Sequence, residues 1–162
     1  MTKVYKIILV LACVSIAWAV ESDKSTIPVE QQQAIEKEVL KTHTQMAGAN
    51  DSQDTEKFFS FILDFDKGLI IRDGRLFKTK QEAFDAVKKG FEGISKTERV
   101  YEQRYVAVIS PETALFTANG TATITFSDGR ILSVPFAVSM VYVLRDGQWK
   151  MLQGHYSVPN LR

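Results

Sequence analysis

The C-terminal half of the chain is the most restrictive part of its sequence. From Arg99 to Val158 it reads as four long strands joined by short turns. Arg99 to Ile109 alternates and is rich in Val and Tyr, and Ser110-Pro111-Glu112 turns the chain. Ala114 to Phe126 sets Thr121, Thr123 and Thr125 against Ala122, Ile124 and Phe126, and Ser127-Asp128-Gly129 is the next turn. Ile131 to Leu144 is the longest run, Asp146-Gly147 is a two-residue hairpin signal, and Trp149 to Val158 closes the sheet. At ~3.3 Å per residue, straight strands of this length would outrun any helices laid across them, so the sheet must curl. Gly120 and Pro135 fall in mid-strand, where each predicts a bulge or bend.

The residues before this sheet are helical. From Glu30, the positions Ile35, Val39, Leu40, His43, Met46 and Ala47 recur at spacings of three and four and share one face. Gly48 and Asn50 are the expected end of this helix, and Asp51 or Ser52 the expected cap of a short second one over Glu56 to Ile62. A small hairpin follows, Leu69-Ile70-Ile71, Asp73-Gly74 and Leu76-Phe77. A third helix is predicted from Lys80 to Phe91, with Ala83, Phe84, Val87 and Phe91 on its apolar side and Gly93 as its stop. Segregated helices and strands define an α+β fold: a curled antiparallel sheet with three N-terminal helices, enclosing a cone-shaped cavity.

The N-terminus reads as an export signal. Lys3 and Lys6 precede an apolar run from Ile7 to Ile16, and Ala17-Trp18-Ala19 supplies a small-x-small cleavage pattern. The apolar stretch ends at Val20, short of the ~20 residues a bilayer span needs. The expected organisation is a signal peptide over 1–19, a flexible leader over 20–29 and one domain over 30–162. The expected location is secreted or periplasmic, with no stable membrane span after cleavage. Val10-Leu11-Ala12-Cys13 allows an alternative, a lipoprotein anchored through Cys13.

Composition narrows the function classes. Cys13 is the only cysteine, so cleavage leaves a domain with neither disulfide nor catalytic thiol. Loss of Lys3 and Lys6 from 20 basic residues, against 19 acidic ones, leaves that domain near neutrality. No basic cluster points to nucleic acid. Two histidines are too few for an ordinary transition-metal site, and no cofactor motif is present. Asp64 and Asp66 could share a strand face as paired carboxylates, but they read better as the end of the second helix and its loop.

The run Arg145-Asp146-Gly147-Gln148-Trp149-Lys150-Met151-Leu152-Gln153-Gly154-His155-Tyr156-Ser157 and the segment Ala47-Gly48-Ala49-Asn50-Asp51 resemble the nuclear transport factor 2-like superfamily, in its SnoaL-like and ketosteroid-isomerase-like branch. The resemblance spans about Ile35 to Pro159. It implies a cone fold shared by isomerases, cyclases, dehydratases, ligand carriers and assembly modules, so fold does not give function. In the isomerase members a carboxylate base sits on the small early strand, and a first-helix Tyr and a strand Asp polarise a carbonyl. Carried over, the base falls at Asp73, the helix position at His43 and the strand position at Ser139.

The catalytic candidates are therefore His43, Asp73 and His155, and the ligand-binding candidates are His43, Ser139 and Tyr156. His43 is on the apolar helix face, where a buried histidine bonded to a neighbour competes with a ligand contact. His155 and Tyr156 alternate, so one faces the cavity; the resemblance favours Tyr156, and a bulge would reverse the choice. Arg104 and Tyr142 read as cross-strand partners. Asn119-Gly120-Thr121 is a glycosylation sequon expected inside a strand.

The expected function is binding of a small apolar or amphipathic molecule in the cone, without catalysis. An isomerase- or cyclase-like proton-transfer enzyme and a homodimeric assembly module are the alternatives. Both parities of Ile131 to Leu144 are mainly apolar, which predicts cover on both sides of that strand and a homodimer through the sheet.

Overall fold

The computed structural model describes residues 27–64, 67 and 69–159. The signal segment, Cys13, Asp66 and residues 160–162 lie outside the described residues. Helix α1 spans Val29–Asp51 and buries Ile35, Val39, His43, Met46 and Ala49, the face read from the 3.6-residue period. It runs through Gly48 and Asn50 rather than stopping there. The break comes at Gln53, whose φ is +60°. The cap of α2 (Thr55–Ser60) is therefore Asp54, not Asp51 or Ser52; its side chain accepts from the Lys57 amide at 3.0 Å. Helix α3 spans Lys80–Gly90, with Thr79 accepting from the Glu82 amide at 3.2 Å.

Six strands form one sheet in the order β2-β1-β6-β5-β4-β3. They are β1 (Ile70–Arg72), β2 (Arg75–Phe77), β3 (Ile94–Ser110), β4 (Thr113–Phe126), β5 (Ile131–Arg145) and β6 (Gln148–Ser157). The long strands pair antiparallel as expected, but β1 joins β6 in parallel, so the sheet is mixed. Asp73 and Gly74 both take positive φ, +52° and +74°, as the two-residue β1–β2 turn requires. Strand β3 begins five residues before the alternation is readable, because Ile94–Glu98 pairs with the far end of β4.

Two of the four register shifts between the long strands shape the concave face. One lies between Tyr101 and Gln103 of β3, opposite Gly120 and Asn119. A side chain on Gly120 would put its Cβ 2.1 Å from the Val100 carbonyl oxygen, so only glycine admits this close approach. The other lies in β6, where Tyr142 pairs with Met151 and Val141 with Gln153, leaving Leu152 unpaired. Pro135 marks no bulge. It pairs with Thr121, and β6 reaches β5 only from Ala137 onward, so the proline lies on an open edge where no amide is needed.

The helices cover the concave face. The core there joins Val39 and Met46 of α1 and Phe59 of α2 with Phe116, Phe136, Val138 and Tyr142 of the sheet and Met151 of β6. On the outer face Val100, Tyr105, Ile109 and Ile131 stand exposed.

Candidate functional site

The open end of the cone holds a cavity of about 380 Å³. Ile70 and Phe77 come from the small hairpin, Ala86 and Val87 from α3, and Val134, Met140, Met151 and Gly154 from the sheet. Each is on the concave parity of its strand or the inner face of its helix, so the wall is mainly apolar. Arg72 and Asp73 stand at the mouth beside His155, and Asn50, Thr97, Arg99 and Tyr156 form its polar part.

The shifts at Glu102 and Leu152 decide which polar side chains enter. In β3, Val106 and Val108 pair with buried Phe116 and Ala114 on the concave side. The extra residue Glu102 reverses the parity, so Tyr101, Arg99 and Thr97 also turn inward, opposite Gly120, Ala122 and Ile124. The Leu152 bulge does the same for β6: Met151 is buried, and past the bulge Gly154 and Tyr156 face inward opposite Met140 and Val138. Tyr156 is thus a wall residue, stacked on Phe136 with ring centroids 5.7 Å apart. His155 pairs with Ser139 on the other parity, and its side chain is exposed.

The same parity argument removes Ser139 from the site. Ser139 pairs with Thr117 and His155 on the outer face, whereas its neighbours Val138 and Met140 point into the cone. The strand position carried over from the isomerases is thus on the wrong side of the sheet for ligand contact.

His43 does not line the cavity either. Its imidazole stacks on Phe116 at 3.8 Å, its Nδ1 shares a 2.9 Å hydrogen bond with the Tyr142 hydroxyl, and its Nε2 shares another with Tyr101 at the same distance. A neutral imidazole donates from one nitrogen and accepts at the other, so one tyrosine donates and the other accepts. Burial, reinforced by the charges of Arg104 and Arg99, lowers the His43 pKa to about 3. Such a group is neutral at any physiological pH and spends both nitrogens inside the protein. Tyr142 is the core member of this triad, and burial raises its pKa. Tyr101 stands edge-on to Phe136, which carries the triad to the wall at Tyr156.

Asp73 is within the hairpin turn, half exposed, with Arg72 Nε 3.3 Å from its Oδ2. It borders the mouth but is not enclosed. Arg104 is exposed over the Tyr101 ring at 5.7 Å, and Asp64 is exposed in a loop. Asn119 lies within β4, its amide donating to Glu102 at 2.9 Å. Among the described residues no three His, Cys, Asp or Glu side chains are grouped to hold a metal, and no helix is long and apolar enough to cross a membrane.

The least exposed charge on the wall is Arg99, a residue not singled out from sequence. Its guanidinium pairs with Asp51, the last residue of α1. The neighbouring Asn50, with its amide oxygen turned toward it, accepts from Nη2 at 2.7 Å. The Tyr156 hydroxyl lies close enough for the Arg99 charge to offset part of the burial that raises its pKa. The signal in the sequence was the broken alternation of β3, where the polar Glu102-Gln103 pair separates Arg99 and Tyr101 from Val106 and Val108.

With this architecture in view, the chain belongs to the SnoaL-like domain family, whose model matches residues 39–160. Three solved structures define the wider fold. A nuclear transport factor 2-like superfamily protein from Salmonella enterica is 13% identical with a TM-score of 0.72, covering 80% of this chain and 94% of its own. A candidate scytalone dehydratase from Novosphingobium aromaticivorans is 10% identical with a TM-score of 0.74, over 82% and 89%. A type 2 hexachlorocyclohexane dehydrochlorinase is 12% identical with a TM-score of 0.69, over 81% and 89%. At these identities the likeness is one of fold, the nuclear transport factor 2-like cone expected from the sequence. No curated protein matches the chain.

Proposed function

We propose that this is an exported protein whose cone binds a small apolar or amphipathic molecule without transforming it. The observation that carries the binding reading is the cavity itself, about 380 Å³ behind an apolar wall with one polar corner. The absence of turnover is argued from His43, whose nitrogens are both committed to tyrosines and whose pKa of about 3 makes it a poor base near neutrality. Native mass spectrometry of the purified protein against lipid and metabolite extracts tests the binding. A protein that emerges with no small molecule retained would count against it. Export rests on the Lys3 to Ala19 signal grammar. N-terminal sequencing of protein from its host should begin at or near Val20; an intact Met1 would refute export, and a lipidated Cys13 would replace secretion with membrane anchoring.

A second, enzymatic reading draws on Asp73 and Tyr156, which border one mouth and couple electrostatically. Two of the similar structures carry the enzyme names dehydratase and dehydrochlorinase. Proton transfer by Asp73 with Tyr156 as its acid would appear as solvent deuterium exchange into an enolisable ketone, abolished by Asp73→Asn. We also propose that a second copy covers the outer face, because Val100, Tyr105, Ile109 and Ile131 present apolar surface there.

A further inference from the structure

Asp51 is badly placed for the helix that carries it. A carboxylate in the last turn faces the negative end of the helix dipole. Its favourable partner is Arg99, whose side chain is 13% exposed against 27% for Asp51. The pair leaves the polar corner of the cavity with hydrogen-bond donors but little net charge. At the mouth, Arg72 and Asp73 cancel in the same way. Tyr156 adds a hydroxyl donor beside Arg99, and burial keeps that hydroxyl protonated.

We propose that Asp51 sets the selectivity of the cavity: by neutralising Arg99 it makes the corner formed by Arg99, Asn50 and Tyr156 a site for an uncharged oxygen acceptor, and it excludes carboxylates. This rests on the small-molecule reading above and names the polar end of that ligand. An incoming carboxylate on Arg99 must approach the Asp51 carboxylate and compete with it for the same guanidinium, a like-charge contact in a partly desolvated place. A carbonyl or ether oxygen meets no such repulsion and can accept from an Arg99 N–H or the Tyr156 hydroxyl. The apolar wall then holds the rest of the molecule.

Three naphthalenes of similar size separate the possibilities: 2-acetylnaphthalene has an uncharged acceptor, 2-ethylnaphthalene has none, and 2-naphthoate has an anion. Equilibrium dialysis with the full mature protein should show the ketone binding about tenfold tighter than the hydrocarbon, the effect of one well-made hydrogen bond. Naphthoate should bind less tightly than the ketone. In Asp51→Asn the order should invert, with naphthoate tightest, because Arg99 loses its counter-charge while the helix end loses an unfavourable one. In Arg99→Met combined with Tyr156→Phe, which removes both donors, the ketone should lose its advantage over the hydrocarbon; should that variant not fold, Asp51→Asn decides alone. Naphthoate binding best to the unmutated protein would overturn the proposal, as would an unchanged order in Asp51→Asn. Equal binding of ketone and hydrocarbon would overturn it while leaving the cavity-binding function standing. Failure of all three probes to bind would remove both.

Discussion

The buried His43 makes the stability of this domain depend on pH in a way that can be separated from every other titration. In the unfolded chain the imidazole has a pKa near 6.5; in the fold, burial and the charges of Arg104 and Arg99 lower it to about 3. A depressed histidine pKa means that the unfolded state binds a proton that the native state refuses. Stability from this group is therefore complete above about pH 6.5 and is lost as pH falls toward 3. The slope is about 1.4 kcal/mol per pH unit within that window, so about 2 kcal/mol disappears between about pH 7.5 and about pH 5. The control is His43→Gln, which removes the titration while keeping an amide among the same neighbours. Urea unfolding of both proteins at both pH values should show the stability gap between them narrowing by about 2 kcal/mol, since contributions common to both proteins cancel in the difference. A gap unchanged to within about 0.5 kcal/mol would refute the account, because His43 would then protonate in the native state as readily as in the unfolded one.

Other substitutions check the fold and the cavity. Gly120→Ala should destabilise by about 3 kcal/mol or prevent folding, because its Cβ meets the Val100 carbonyl oxygen at 2.1 Å and neither backbone can turn aside; thermal unfolding measures it. Gly154→Ala meets only methionine side-chain atoms, the tightest being Met151 Sδ at 3.1 Å, so it should fold and instead weaken binding of 2-acetylnaphthalene by filling the wall. Thr79→Ala removes the hydroxyl that caps α3 and should cost about 1 kcal/mol of stability in the same unfolding assay. Sedimentation equilibrium should find a dimer that Tyr105→Glu with Ile109→Glu dissociates; a monomeric starting protein would sink the outer-face assembly.

Much of the architecture was legible because period and turn chemistry agree. The α1 face through Ile35, Val39, His43 and Met46 follows the helical repeat. Asp73-Gly74 and Asp146-Gly147 make the tight turns their residue types demand, all four with positive φ. What misled was local. Gly48 and Asn50 look like a helix end, yet the helix continues to Asp51, with the Ser52 amide bonded to the Gly48 carbonyl at 3.0 Å. The parallel β1–β6 pairing left no trace because a three-residue strand has too few side chains to declare its neighbour.

The site was less legible than the fold, and the reason is parity. A strand read with an unbroken period of two assigns every residue to a face, and one inserted residue reverses every assignment beyond it. Glu102 and Leu152 are such insertions. Without the first, Arg99 and Tyr101 would face outward while Val106 faced inward, and the cavity would lack its polar corner. Without the second, the closing strand could not bury Met151 and also present Tyr156 to the cone. His43 shows a different limit. Its position on the inner helix face was correctly read, but the helix covers more of the sheet than it does of the cavity. Phe116, Tyr101 and Tyr142 occupy the space a ligand would need to reach it. The polar side of the cone is therefore set not by the residue with the most suggestive side chain but by Arg99, which the Glu102 bulge turns inward and the helix-end carboxylate of Asp51 holds in place.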